Sequence, residues 1–62
     1  MPTNLTTKEL TALEETLGAE QVLVKKYRTM ASQCNDAGLK SRLESIAGRH
    51  QRHYDTLISH LK

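Results

Sequence analysis

Two stripes of apolar residues, separated by the dipeptide Asn35-Asp36, constrain this chain more than any other feature. Within each stripe the residues lie three or four positions apart, which is typical of a helix that packs lengthwise against other helices. The first stripe consists of Leu10, Leu13, Leu17, Glu20, Val24, Tyr27, Ala31 and Cys34. The second consists of Leu39, Leu43, Ile46, His50, His53, Leu57 and Leu61. No segment is rich in β-forming residues, so the sequence predicts an all-α protein.

The start of the first helix is marked by capping residues. Thr6 with Glu9 three positions later forms a capping box. Leu5 before the cap and Leu10 within the first turns have the spacing of a hydrophobic staple. Together these signals predict a helix from about residue 7 to about residue 34.

The second helix follows after a very short connection. Asp36 is a suitable N-cap, which predicts a turn at about residues 35–36 and a helix over about residues 37–60. A connection of two or three residues favours an antiparallel neighbour. We therefore expect residues 1–62 to form a single helical hairpin domain.

A chain of 62 residues has too small an interior to be stable on one apolar core alone. Its single cysteine, Cys34, excludes an intrachain disulfide, so the remaining sources of stability are a metal, a second chain or both. The wide apolar faces favour a second copy, and the predicted architecture is a homodimeric four-helix bundle. The residues expected at the dimer interface are Leu10, Leu13, Leu17, Leu23, Val24, Ile46 and Leu57.

Composition argues against several classes of function. The net charge of +2 is too small to indicate a nucleic-acid partner. No apolar run approaches the roughly 18 residues of a membrane span. The first residues lack a basic segment followed by an apolar one, so we expect synthesis in the cytoplasm. Neither a nucleophile with a base partner nor a glycine-rich phosphate loop is recognisable, and the sequence does not predict an enzyme.

The polar residues that interrupt the two stripes fall at the same height in the predicted hairpin. With a turn centred near Asn35, Glu20 lies level with His50, and His53 follows one helical turn later. A carboxylate and two imidazoles are therefore expected to converge inside the bundle. Burying a charged Glu20 without a partner would be very costly, so some group must satisfy it.

Three interpretations of this cluster are open. In the first, Glu20, Tyr27, His50 and His53 form a core polar network that fixes the helix register. In the second, Glu20, His50 and His53 are metal ligands, and their donor types suit Zn, Fe or Mn, although no cofactor is required. In the third, the helices pair differently and the cluster faces water.

Two glycines lie beside the same level. Gly18 and Gly48 each cost helix stability relative to alanine, by about 0.5–1 kcal/mol. Their position suggests close approach of the helices or room for a ligand, and tolerated sequence drift is an equally good explanation.

Three segments, EQVLVKKY, NDAGLKSRL and IAGRHQRHYDTL, resemble the ferritin-like group, and most closely the small spore coat protein F-like proteins of spore-forming Firmicutes. The resemblance covers nearly the whole chain. It implies a ferritin-like four-helix bundle and a structural role in the spore coat, with other coat proteins as partners. Resemblance to the metal-binding members of the ferritin-like group also implies a metal-binding Glu on the first helix and a Glu-x-x-His motif on the second.

The sequence departs from that motif at one ligand. Glu20 matches the first-helix carboxylate and His53 matches the histidine, but His50 stands where the second Glu belongs. That Glu normally bridges two metals, and an imidazole cannot bridge in the same way. The resemblance therefore favours a structural, spore-coat-associated homodimer, with a metal-binding protein carrying a modified site as the alternative.

Overall fold

The computed structural model describes residues 5–61, which form two helices and the turn between them. Helix α1 spans Thr7–Ser32 and helix α2 spans Ala37–Ser59, and the two pack against each other. Contacts from the middle of α1 reach the second half of α2, so the helices run antiparallel. Over these residues there is no strand, and neither helix is both long and apolar enough to cross a membrane. The predicted all-α hairpin is confirmed.

The capping box at the start of α1 forms as predicted. The backbone N–H of Thr6 donates to Oε1 of Glu9 at 3.0 Å, and the backbone N–H of Glu9 donates to Oγ1 of Thr6 at 3.0 Å. Two backbone donors at the helix start are thereby satisfied. The backbone N–H of Thr6 is the main cause that holds the pKa of Glu9 below its usual value of 4.5.

The turn is longer than the sequence pattern indicated. The first helix ends at Ser32 rather than Cys34, with Gln33 as its C-cap. The reason is that Asp36 must adopt an extended backbone, with φ −94° and ψ 117°, so that its carboxylate accepts the N–H of Leu39 at 2.8 Å. The chain needs several residues between the helices to reach that conformation. Within this turn, the Cys34 thiol donates to the Asp36 carbonyl oxygen. Helix α2 ends one residue before the predicted boundary.

The seam between the helices is narrow. Among the described residues, its buried apolar side chains are Val24, Ala31, Leu43 and Ala47. The two alanines are the most completely buried of these, so the helices approach closely where side chains are small. The glycines do not mark this approach, because a Cβ added at Gly18 meets nothing within 4 Å and one added at Gly48 meets only the Arg52 guanidinium at 3.6 Å. The expectation of close approach at the glycines is therefore wrong.

The hairpin is elongated and one layer thick. Its principal extents are 46 × 18 × 11 Å, and its radius of gyration is 14.5 Å, whereas a compact domain of this length would have about 10.6 Å. Of the predicted interface residues, Val24 is buried within the hairpin and has little surface left for a partner. The others retain accessible surface on the single chain: Leu10, Leu13, Leu17, Leu23, Ile46 and Leu57.

Candidate metal centre

A carboxylate from α1 and two imidazoles from α2 meet at the middle of the hairpin. Oε1 of Glu20 lies 2.8 Å from Nδ1 of His50, and Oε2 of Glu20 lies 2.9 Å from Nδ1 of His53. Glu20 is only 8% exposed and is the single buried charged residue in the part of the chain described. The helix pairing is thus the one deduced from the turn position, and the three side chains lie at one height.

An ionised Glu20 carboxylate would assign the tautomer of both imidazole rings. A carboxylate has acceptors only, so each ring that contacts it must donate through Nδ1–H. In the neutral imidazole the other nitrogen, Nε2, then carries a lone pair. Because each carboxylate oxygen receives one ring, Glu20 orients both histidines at once, which explains why a carboxylate is tolerated at a buried position.

Tyr27 joins the cluster through its ring rather than its hydroxyl. Its ring stacks on that of His50, with centroids 6.0 Å apart and planes inclined by 9°. The two histidine rings pack edge to face, with centroids 5.6 Å apart. As a member of the predicted core polar network, Tyr27 would share hydrogen bonds with the cluster, but among the described residues its hydroxyl makes none with Glu20. The stacking instead restricts the plane of the His50 ring.

The cluster opens toward one side of the hairpin. The side chain of His50 is 22% exposed and that of His53 is 54% exposed. Ile46 and Leu57 lie four residues before His50 and four residues after His53, so these four side chains form one row on α2. The accessible side of the cluster therefore belongs to a partly apolar face.

A second contact at this height escaped the sequence analysis. The side-chain amide of Gln21 donates to the hydroxyl of Tyr54 at 3.2 Å. Gln21 and Tyr54 are the sequence neighbours of Glu20 and His53, so this hydrogen bond joins the two helices at the height of the cluster. Gln21 has no distinguishing sequence pattern, and the predicted register places it level with Arg49 rather than with Tyr54, so the sequence did not indicate this contact.

Comparison with known proteins supplies a relative. The chain is 33% identical over 61 residues to the uncharacterized protein YuzM of Bacillus subtilis (strain 168), in an alignment that covers 98% of this chain and 75% of YuzM. The chain belongs to the YuzM family. No family model matches it, and no solved structure matches it.

The donor set of this YuzM-family chain suits a single ion better than a pair. Glu20, His50 and His53 each offer one ligand atom, and these atoms lie within 4.8 Å of one another. Two imidazoles with one carboxylate are ligands for Zn, Fe or Mn. Across residues 5–61 no second carboxylate joins this group. A carboxylate-bridged pair of metals therefore does not fit the residues present.

Proposed function

We propose that this YuzM-family chain is a structural and interaction protein without enzymatic activity, which acts as a homodimeric four-helix bundle of ferritin-like architecture. The resemblance to coat F-like proteins supports a place in or near the spore coat. A fluorescent fusion followed through sporulation tests that place, and persistent diffuse signal in the mother cell with none on the spore would contradict it.

The surface of the single hairpin carries the dimer proposal. The chain exposes 4813 Å², whereas a compact monomer of its mass would expose about 4,000 Å². The excess, roughly 800 Å², is what one partner contributes to a standard protein–protein interface. A second copy covering one face of each hairpin would remove this excess.

The polar cluster supports the choice of face. Ile46, His50, His53 and Leu57 form one row of α2, and Tyr27 of α1 borders it through its stacking on His50. Leu23 lies one helical turn before Tyr27 and retains accessible surface. A face that is mostly apolar with a polar group at its centre is typical of helix pairs in which the polar group fixes register.

The dimer is tested with a charge placed on this face. We expect the native chain to sediment as a dimer at micromolar concentration and Ile46→Asp to sediment as a monomer, because the aspartate would be buried without a partner. Val22→Asp is the matched control. Val22 is 66% exposed and lies two positions from both Glu20 and Val24, so it points away from α2. A folded native monomer at this concentration would refute the proposal.

A second candidate function, divalent metal binding, is favoured by the convergence of Glu20, His50 and His53. One ligand atom of each residue already lies within 4.8 Å of the others, so the backbone of the hairpin would not need to move for them to share an ion. Zn, Fe or Mn are the candidates by ligand type. This function is compatible with the structural one, since a metal at the dimer face would also stabilise the bundle.

Metal content decides the second candidate. We expect untagged protein to retain a transition metal after dialysis and the double variant His50→Ala/His53→Ala to lose it. His60→Ala, which removes an imidazole outside the cluster, should retain the metal. Equal and negligible metal in the native chain and the double variant would contradict metal binding.

A further inference from the structure

The ring nitrogens of the two cluster histidines are unequal. In both rings Nδ1 contacts Glu20, and within residues 5–61 neither ring forms a hydrogen bond through Nε2. Within residues 5–61 no buried side-chain nitrogen or oxygen lacks a hydrogen-bond partner, so Nε2 of the half-buried His50 must be reached by solvent. His53 is more exposed still. Each hairpin therefore presents two imidazole nitrogens to solvent.

These nitrogens lie at the mid-height of the hairpin. Glu20 is close to the centre of Thr7–Ser32, and His50 and His53 flank the region just past the centre of Ala37–Ser59. A two-fold axis brings the same patch of both subunits together. Residues at mid-height remain nearly level whether the two hairpins are parallel or antiparallel. In a dimer whose hairpins overlap along their full length and share this face, the two clusters thus approach each other.

Dimerisation would leave these nitrogens in an unfavourable environment. With Nδ1–H donated to Glu20, each Nε2 of a neutral ring is an acceptor, and the symmetry-related imidazole rings offer it only further acceptors. Acceptors cannot satisfy one another, and burying them unpaired is costly. A divalent cation satisfies all of them, and imidazole nitrogen is a preferred ligand of late transition metals.

We infer that a divalent transition-metal ion such as Zn²⁺ binds between two copies of the chain through Nε2 atoms of His50 and His53. Glu20 is then a positioning residue, which holds both rings through Nδ1 and does not bind the ion. A carboxylate behind a metal-bound imidazole fixes the tautomer and raises the basicity of the ligand. The inference rests on the proposed homodimer and specifies how the metal would be held there.

The rival arrangement places the ion between Glu20 and the two Nδ1 atoms. It would require the ion to replace both Nδ1–H donors and to break both short hydrogen bonds. The displaced protons of neutral rings would move to Nε2 and face the partner. The two arrangements therefore differ in which ring nitrogen carries the proton.

Histidine-ring ¹⁵N NMR of the native, untagged chain with Zn²⁺ distinguishes them without any variant. We expect the Nε2 resonances of His50 and His53 to move to the metal-bound range, with Nδ1 remaining protonated. His60 serves as the internal reference. Zn²⁺ on Nδ1, or no change in either ring at saturating Zn²⁺, would overturn the inference.

Sedimentation with and without Zn²⁺ tests the shared nature of the site. An ion held by both copies must tighten the dimer, and we expect its dissociation constant to fall by at least about tenfold. A dimer whose dissociation constant is unchanged by bound Zn²⁺ would overturn the inference while leaving the homodimer intact. A chain that remains monomeric with and without Zn²⁺ would instead refute the proposed homodimer itself.

Glu20→Gln tests the positioning role. The amide replaces one of the two carboxylate oxygens with an NH₂ donor, so one of the two Nδ1–H groups loses the acceptor that it contacts. We expect Zn²⁺ affinity to fall by about 10–100-fold, as for other partners behind a metal ligand, while the NMR signature of Nε2 ligation is kept. Unchanged affinity, or transfer of the ion to Nδ1, would exclude this role for Glu20.

Discussion

Single residues at the helix ends carry much of the information that defines this hairpin. Thr6 with Glu9 and Asp36 with Leu39 form the cap hydrogen bonds of α1 and α2. Such caps contribute about 0.5–2 kcal/mol each, which is a large share of the stability available to a chain of this size. At the start of α1 the capping carboxylate, Glu9, has a lowered pKa, so this helix start responds to pH.

The cap of α1 predicts a local pH dependence. The pKa of Glu9 is lowered by the backbone N–H and then the side chain of Thr6, so ionised Glu9 favours the folded state. Its contribution is complete above the unfolded pKa, near 4.5, and is lost as pH falls through the lower folded pKa. The Thr6 amide resonance should report this loss. Glu9→Gln retains an N3 side chain that can accept from Thr6 without titrating, so a matching step in that variant would contradict the assignment.

At the scale of the helices, the sequence was sufficient to predict the features that depend on residue type and spacing alone. The caps and the register that joins Glu20 to His50 follow from residue type and turn position. The end of α1 could not be predicted in this way. The extended backbone at Asp36 leaves Cys34 outside the helix, and the spacing of apolar residues carries no information about that backbone conformation. The helices approach closely at the buried alanines rather than at Gly18. This depends on the rotation of each helix about its own axis, which the apolar stripes do not determine.

Two leucines of α2, one buried and one exposed, can be used to test whether stability comes from packing in the seam between the helices. Leu43 is buried against α1, and Leu39 is exposed one turn earlier. We expect Leu43→Ala to lower the free energy of unfolding by about 2–3 kcal/mol, at the lower end of the usual range because the seam is thin. Leu39→Ala should change it by less than about 1 kcal/mol. Urea unfolding of both variants at one protein concentration measures the difference, and equal effects would show that the seam is not where packing energy is concentrated.

At the scale of the whole molecule, one seam between two helices cannot supply a full hydrophobic core. Over residues 5–61 the buried apolar residues are few and two of them are alanines, while the His53 side of the polar cluster stays accessible. In the proposed homodimer, the face that a second copy covers is the face that carries His50 and His53. Assembly and metal binding are then expected to be thermodynamically linked.

The proposed dimerisation makes the free energy of unfolding depend on protein concentration. When two unfolded chains form one folded dimer, each tenfold rise in concentration adds about 1.4 kcal/mol per dimer to the apparent free energy of unfolding. We expect the urea midpoint of the native chain to rise accordingly over two decades of concentration, and that of Ile46→Asp to stay constant at a lower value. Val22→Asp should follow the native chain, because its charge lies off the shared face. A native midpoint that is independent of concentration would mean that the hairpin folds alone, and that the small seam through Val24, Ala31, Leu43 and Ala47 is sufficient.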